Sequence, residues 1–213
     1  MKTDDFIKNL SEALPGTQKP RFYRALFFGW AVITLGVLGL SYYLLPTRPD
    51  FAVRSHATFF HMETAFFFLT FLVTSYVAYR SSIPGLLTQR DLLIGLIFIM
   101  AAAGFVALRF SNTALPAEFL GEMDWYRGRC GPVLFIVGMI QAVFCFALAR
   151  LTAPTRPVLA ATWLGLSTGA IGLFVVQFIC EKENFLHLAI WHLTPVVLLA
   201  GVSAIVGKKA LRW

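Results

Sequence analysis

Seven side chains of this sequence can bind a metal ion or take part in thiol chemistry: Cys130, Cys145, Cys180, His56, His61, His187 and His192. Thiolate and imidazole together suit zinc and related ions. Two thiols in an oxidising compartment suit a disulfide. Glu118, Glu122, Asp124, Glu181 and Glu183 place carboxylates near them in sequence. No CxxC or HExxH spacing is present, so neither a thioredoxin-like redox pair nor a zincin helix is written here. His187 and His192 are five apart, roughly 140° around an α-helix, which predicts that they do not chelate from one face. Glu183 and His187 do share a face, with Cys180 one turn beyond. For Cys130 and Cys180 three readings stay open: a disulfide, a metal site helped by histidine and carboxylate, or two unrelated thiols. Cys145 is different. It lies roughly 22 Å along a helix from Cys130, and reads as a small apolar packing residue.

The elements that must position these groups are apolar helices. The chain has 213 residues, 58% hydrophobic and 14% charged, where soluble domains run nearer a quarter charged. Six stretches carry no charge: 25–47, 64–79, 92–108, 130–149, 157–180 and 184–207. Each is near or above the roughly 17 residues that cross a bilayer as a helix. The pattern predicts an all-α, polytopic bundle with spans Phe22–Leu45, His56–Tyr79, Asp91–Leu108, Gly131–Ala149, Pro157–Ile179 and His187–Val206. The organisation is a tail 1–21, a membrane domain 22–206 and a basic tail 207–213. About twenty polar residues precede the first apolar run, which is itself too long for a cleavable signal.

Twelve of the 18 Lys and Arg fall in the tails and in the loops holding Arg80, Arg90, Arg150 and Arg156. The positive-inside rule places both termini in the cytoplasm. The four histidines, Cys130 and Cys180 then lie on the outer side. The net charge of +7 is a topology signal, and direct nucleic-acid binding is not expected.

In the tail, Thr3 caps a short helix and Asp4 and Asp5 suit its positive end. Phe6, Ile7, Leu10 and Leu14 make one apolar face, and Pro15-Gly16 ends it. A helix this short is marginal alone and orders against a partner. Burying those four side chains contributes roughly 6–12 kcal/mol gross, and ordering offsets roughly 2–5 of it. In the fifth span, Ala161, Gly165 and Gly169 recur every fourth residue and let a neighbour approach. The short loop Arg150–Arg156 joins the fourth and fifth spans, so they should pack as an antiparallel hairpin that slides on this small-residue face, with Cys130 and Cys180 able to meet at their outer ends. Pro195 breaks the sixth span's hydrogen-bond ladder at Trp191 and predicts a kink. Gln141 and Gln177 are buried polar residues explained by interhelical hydrogen bonds. The midplane is nearly free of ionisable groups, which argues against a small-solute transporter. The missing CxxC argues against a membrane thiol–disulfide oxidoreductase.

Both ends of the chain resemble one family. The opening MKTDDFIKNL is similar to that of the NrsF-like family, negative regulators of sigma-F, with Phe6 where the family pattern has Leu. The closing block resembles the same family: Cys180, Glu181, Glu183, Asn184, His187, Trp191-His192, Pro195-Val196, then basic residues and Leu-Arg-Trp. Arg48-Pro49-Asp50 and a Cys heading the fourth span also match; Lys182 departs from the acidic run after Cys180. The resemblance implies a non-enzymatic anti-sigma factor of the bacterial inner membrane. Its partner would be an extracytoplasmic-function sigma factor, held by the tail through Asp4, Asp5, Phe6, Ile7, Leu10 and Leu14. It implies that Cys130 and Cys180 sense metal or oxidative stress outside. No resident cofactor is expected beyond a transient metal ion at the outer face, with His187, Glu183, His192 and His61 as its candidate further ligands.

Overall fold

A computed structural model of the chain describes residues 20–107, 129–181 and 185–212, and the regular structure among them is helical. The tail residues Asp4, Asp5, Phe6, Ile7, Leu10 and Leu14 lie outside the described residues, as does Glu183. Six helices are long and apolar enough to cross a membrane. They are α1 Pro20–Leu44, α2 Thr58–Ser82, α3 Gln89–Ala107, α4 Cys130–Arg150, α5 Pro157–Val176 and α6 Phe185–Ala210. A single turn, Phe51–Arg54, sits between α1 and α2. The fifth span is shorter than its apolar run. The amide N–H groups of Phe178 and Ile179 donate to the carbonyls of Val175 and Val176, at 3.1 and 3.2 Å. Such i→i+3 bonds tighten a last turn, and they leave Cys180 beyond the helix.

Lipid tails are as apolar as leucine, so burial against a neighbour gains a membrane helix no hydrophobic free energy. Close van der Waals fit and interhelical hydrogen bonds must do the work. That condition selects α5 as the centre of the bundle. It packs most extensively against α6, then α2, then α4. A Cβ on Gly165 would stand 2.6 Å from the Leu199 carbonyl oxygen and 2.7 Å from Ala200 Cα. A Cβ on Gly169 would meet Val196 Cγ1 at 2.7 Å, and one on Gly207 would strike the Ala161 methyl. The small-residue stripe therefore faces α6, not α4. The sliding α4–α5 surface expected from the sequence is replaced by an interlocked one. Gly172 there lies under Leu134, and Gly138 lies under Leu199 and the Thr168 carbonyl.

Polar cross-links complete the fit. Ser75 and Ser167 hydroxyls sit 2.6 Å apart across α2 and α5. Gln141 Nε2 donates to Thr34 Oγ1 at 2.9 Å, tying α4 to α1. Gln177 does not form the bond expected of it: its Nε2 is buried with no hydrogen-bond partner, in the turn after α5. Cys145 is fully buried in an apolar cluster with Trp163 and Ala161. At the edge of the bundle α1 packs on α4 and leaves Phe27, Phe28, Val32 and Leu35 exposed to lipid.

Gly165→Val is expected to destabilise the bundle by about 1–3 kcal/mol, the usual cost of overpacking. Gly201→Ala, on the other side of α6 with nothing within 4 Å of the added methyl, is expected to be neutral or mildly stabilising. Thermal unfolding of the detergent-solubilised variants checks the contrast.

Candidate metal and thiol site

Three chain segments converge where α4 begins, α5 ends and α6 begins. Each arrives there for a local reason. On α4, Cys130 is followed by Gly131, and a Cβ at Gly131 would meet Trp191 Cε3 at 2.8 Å and the Trp191 carbonyl oxygen at 3.2 Å. Only a residue without a side chain lets α6 come that near. Cys180 lies just past α5, where its N–H donates to the Val176 carbonyl at 2.9 Å. Arg48 grips the same segment. Its N–H donates to the Phe178 carbonyl at 2.8 Å, and its Nη2 to the Glu181 carbonyl at 3.4 Å.

The histidines come from α6, which is not α-helical throughout. Phe185–His187 are α-helical, Leu188–Leu193 form a π-helix, and α-helix resumes at Thr194. Pro195 explains the change. It has no N–H for the Trp191 carbonyl, and its ring clashes with that carbonyl in α geometry. The chain widens by one residue instead. The Thr194 N–H and Oγ1 both turn to the Ala189 carbonyl, five residues back. In such an i→i+5 turn, residues five apart stack one above the other. His187 and His192 are thus brought to one face, with ring centroids 5.3 Å apart at 72°. The opposite expectation from the sequence assumed 3.6 residues per turn, and the π-turn overturns it. The predicted kink is this widened turn.

The outcome is a set of four donors. The ligand atoms of Cys130, Cys180, His187 and His192 all lie within 4.8 Å of one another. His187 is fully buried; His192 and Cys180 are buried and Cys130 is half-buried. Cys180 Sγ and His187 Nε2 are 3.2 Å apart. His192 Nε2 is buried without a hydrogen-bond partner, an unusual state for an imidazole nitrogen. The hydrogen bond with Cys130 raises the Cys180 pKa most, burial raises it further, and the neighbouring His187 and His192 pull it back. The thiol form is therefore favoured unless a cation is present to hold the thiolate.

Chemically the set fits a tetrahedral S₂N₂ ion. Bonds of about 2.3 Å to sulfur and 2.0–2.1 Å to nitrogen put ligand atoms about 3.3–3.8 Å apart. A contraction of about 1 Å closes the set around an ion of that kind. It also fits thiol oxidation. Cys130 and Cys180 are both free thiols, with sulfurs inside the same 4.8 Å limit.

The other sequence candidates fall elsewhere. His61 is exposed, and its Nε2–H donates to the Ser55 carbonyl at 2.8 Å. It is not in the four-donor set. His56 is also exposed, ahead of α2. Reading the sequence missed the packing of Gly131 on Trp191 and the grip of Arg48. The Arg48-Pro49-Asp50 run is visible in the sequence, but it does not show its contact partner.

The family model described as negative regulator of sigma F, NrsF, matches residues 10–213. The anti-sigma-F factor NrsF of Caulobacter vibrioides (strain NA1000 / CB15N) is 28% identical over 218 residues, covering 100% of both chains. A probable anti-sigma-F factor NrsF of Azospira oryzae is 26% identical over 224 residues, again covering 100% of both. No solved structure matches the chain.

Pro195→Ala restores the missing N–H and allows an ordinary α-turn, which would swing His187 and His192 apart. Cadmium(II) binding by the solubilised protein, read from thiolate–cadmium absorbance, is expected to weaken roughly 10–100-fold, as for loss of an outer-shell support.

Proposed function

The chain belongs to the NrsF family of negative regulators of sigma F, and on that premise we propose how it holds and releases its sigma factor. An extracytoplasmic-function sigma factor is kept at the bacterial inner membrane by the N-terminal tail. It is released when the Cys130–Cys180–His187–His192 set captures a soft metal ion or is oxidised. The observation that carries this reading is the convergence of those four donors within 4.8 Å.

Topology supports it. Six spans bring both ends to one side, and Lys208, Lys209, Arg212, Arg150, Arg156, Arg80 and Arg90 mark that side as cytoplasmic. The four-donor set is at the opposite ends of α4, α5 and α6. A periplasmic signal is thus read on one face while the sigma factor is held on the other.

The ligand types argue for the signal class. Two thiolates and two imidazoles favour zinc, cadmium or copper over magnesium or calcium, which prefer oxygen. To move a two-state equilibrium from 1:99 to 99:1, an ion needs about 5.5 kcal/mol of preference for the releasing state. Four-ligand thiolate–imidazole sites bind zinc with about 10–16 kcal/mol, so part of that affinity suffices. The tail's short apolar face gives reversible binding suited to coupled folding.

Cys130→Ser, Cys180→Ser and His192→Ala are each expected to retain the sigma factor in unstressed cells and to lose most of the response to cadmium(II). Sigma-dependent transcription with and without cadmium(II) or a thiol oxidant measures this. Serine variants that respond like wild type would sink the proposal. Leu10→Asp, or deletion of residues 1–15, is expected to release the sigma factor constitutively. A pull-down in which these variants hold it at the wild-type level would count against the tail.

A further inference from the structure

Arg48 is the most thoroughly buried charged side chain among the described residues, at 2% exposure. Arginine is almost never so buried unless paired. Its Nε donates to Asp50 Oδ1 at 2.6 Å and its Nη2 to Asp50 Oδ2 at 2.9 Å, a two-point fork. The hydrogen bond from Arg48 holds the Asp50 carboxyl below the usual carboxylate range. From this fixed position Arg48 reaches two carbonyls, those of Phe178 and Glu181. Cys180 lies between them in sequence. Both carbonyls follow the last turn of α5, where backbone acceptors have no intrahelical donor. Phe51 packs the same link from the other side, 6.2 Å from the Phe178 ring and 6.1 Å from that of Phe60.

Arg48 is also four residues past the end of α1. That helix is one of the two sparsely packed members of the bundle, with α3, and is held mainly against α4. Its other end continues toward the N-terminal tail. One residue therefore joins the segment carrying a site cysteine to the helix that leads to the tail.

We propose that Arg48 is the positioning residue that couples the Cys180 site to α1, resting on the reading above that the site triggers release. When Cys180 moves to close on an ion, the carbonyls of Phe178 and Glu181 move with it. Arg48 is bonded to both and locked to Asp50, so the α1–α2 link moves as a unit and shifts α1. An ammonium cannot form the fork to Asp50 and reach Glu181 at once, so charge alone does not fulfil the role.

The test uses the full-length protein with cadmium(II) as the probe, in Arg48→Gln, Arg48→Lys and Asp50→Asn variants. Two quantities are read for each: cadmium(II) affinity of the solubilised protein, and sigma-dependent transcription with and without cadmium(II). The expected result has three parts. Resting repression is unchanged. Affinity falls by less than the roughly 10-fold typical of outer-shell changes. Induction is lost in both Arg48 variants and reduced in Asp50→Asn. Asp50→Asn weakens the fork without removing the arginine, and decides the matter if the Arg48 variants fail to accumulate in the membrane. Variants that bind cadmium(II) and still induce normally overturn the proposal. So does parallel loss of binding and induction, which would make Arg48 a support of the site alone. Failure of the release reading looks different: the wild-type protein itself would not bind cadmium(II) or induce.

Discussion

Along much of its length α6 lies against α5 with almost nothing between the two backbones. At Gly165 the Leu199 carbonyl and Ala200 Cα occupy the space where a side chain would be. At Gly207 the same happens with Ala161 in the reverse sense. In lipid this contact is decisive, because dispersion and hydrogen bonding are the available forces and both fall off steeply with distance. Once α5 and α6 are locked, α4 has its place as well. Gly172 and Gly138 seat it against Leu134, Leu199 and the Thr168 backbone. The start of α4, the segment just past α5 and the start of α6 then converge, and they carry Cys130, Cys180 and the two histidines.

The same locking explains why a strained turn persists where it does. A π-turn exchanges good i→i+4 geometry for poorer bonding and is rarely found without a reason. Here Pro195 removes the better alternative, and Thr194 satisfies the Ala189 carbonyl twice over. The turn's yield is angular. It rotates His192 onto the His187 face and toward Cys180. A buried imidazole nitrogen with no hydrogen-bond partner is a cost that a folded protein does not often keep. Its presence beside two thiols and a second imidazole is what distinguishes this cluster from ordinary packing. Cys145, equally buried, lies in an apolar cluster with Trp163 and Ala161, away from the other cysteines and the histidines.

Membership of an anti-sigma family gives the bundle its task, and the packing shows how a small bundle can be suited to it. The core helices α2, α4, α5 and α6 are tightly engaged, while α1 stands to one side. Its polar links to the rest, among the described residues, include Thr34 to Gln141, the Tyr23 carbonyl to the Tyr79 hydroxyl at 2.9 Å and, just past its end, Arg48 to the end of α5, beside apolar contacts of Trp30 and Val37. A helix at the edge of the bundle can shift between discrete packed positions, because packed cores tend to be bistable rather than continuously deformable.

The sequence by itself determined the six apolar helices, the asymmetry of Lys and Arg, and the family, through its opening and closing blocks. These depend on composition and on residue identity at fixed positions, which need no knowledge of neighbours. It also showed that Ala161, Gly165 and Gly169 form a close-contact stripe, since their spacing repeats each helical turn. Which helix would use that stripe was beyond it, because partner choice depends on which neighbour has matching small residues and knobs, as α6 does with Val196, Leu199 and Gly207. The candidate site was legible as residue types only. Cys130 and Cys180 could be named, but the pairing of His187 with His192 read the wrong way. Helical spacing assumes a regular ladder, and Pro195 replaces that ladder with a π-turn. Arg48 was visible as a motif residue without a role. Its partners are carbonyls 130 and 133 residues away, and a backbone oxygen leaves no mark in the sequence. Only tertiary structure, by bringing the end of α5 under the α1–α2 link, decided what that arginine holds.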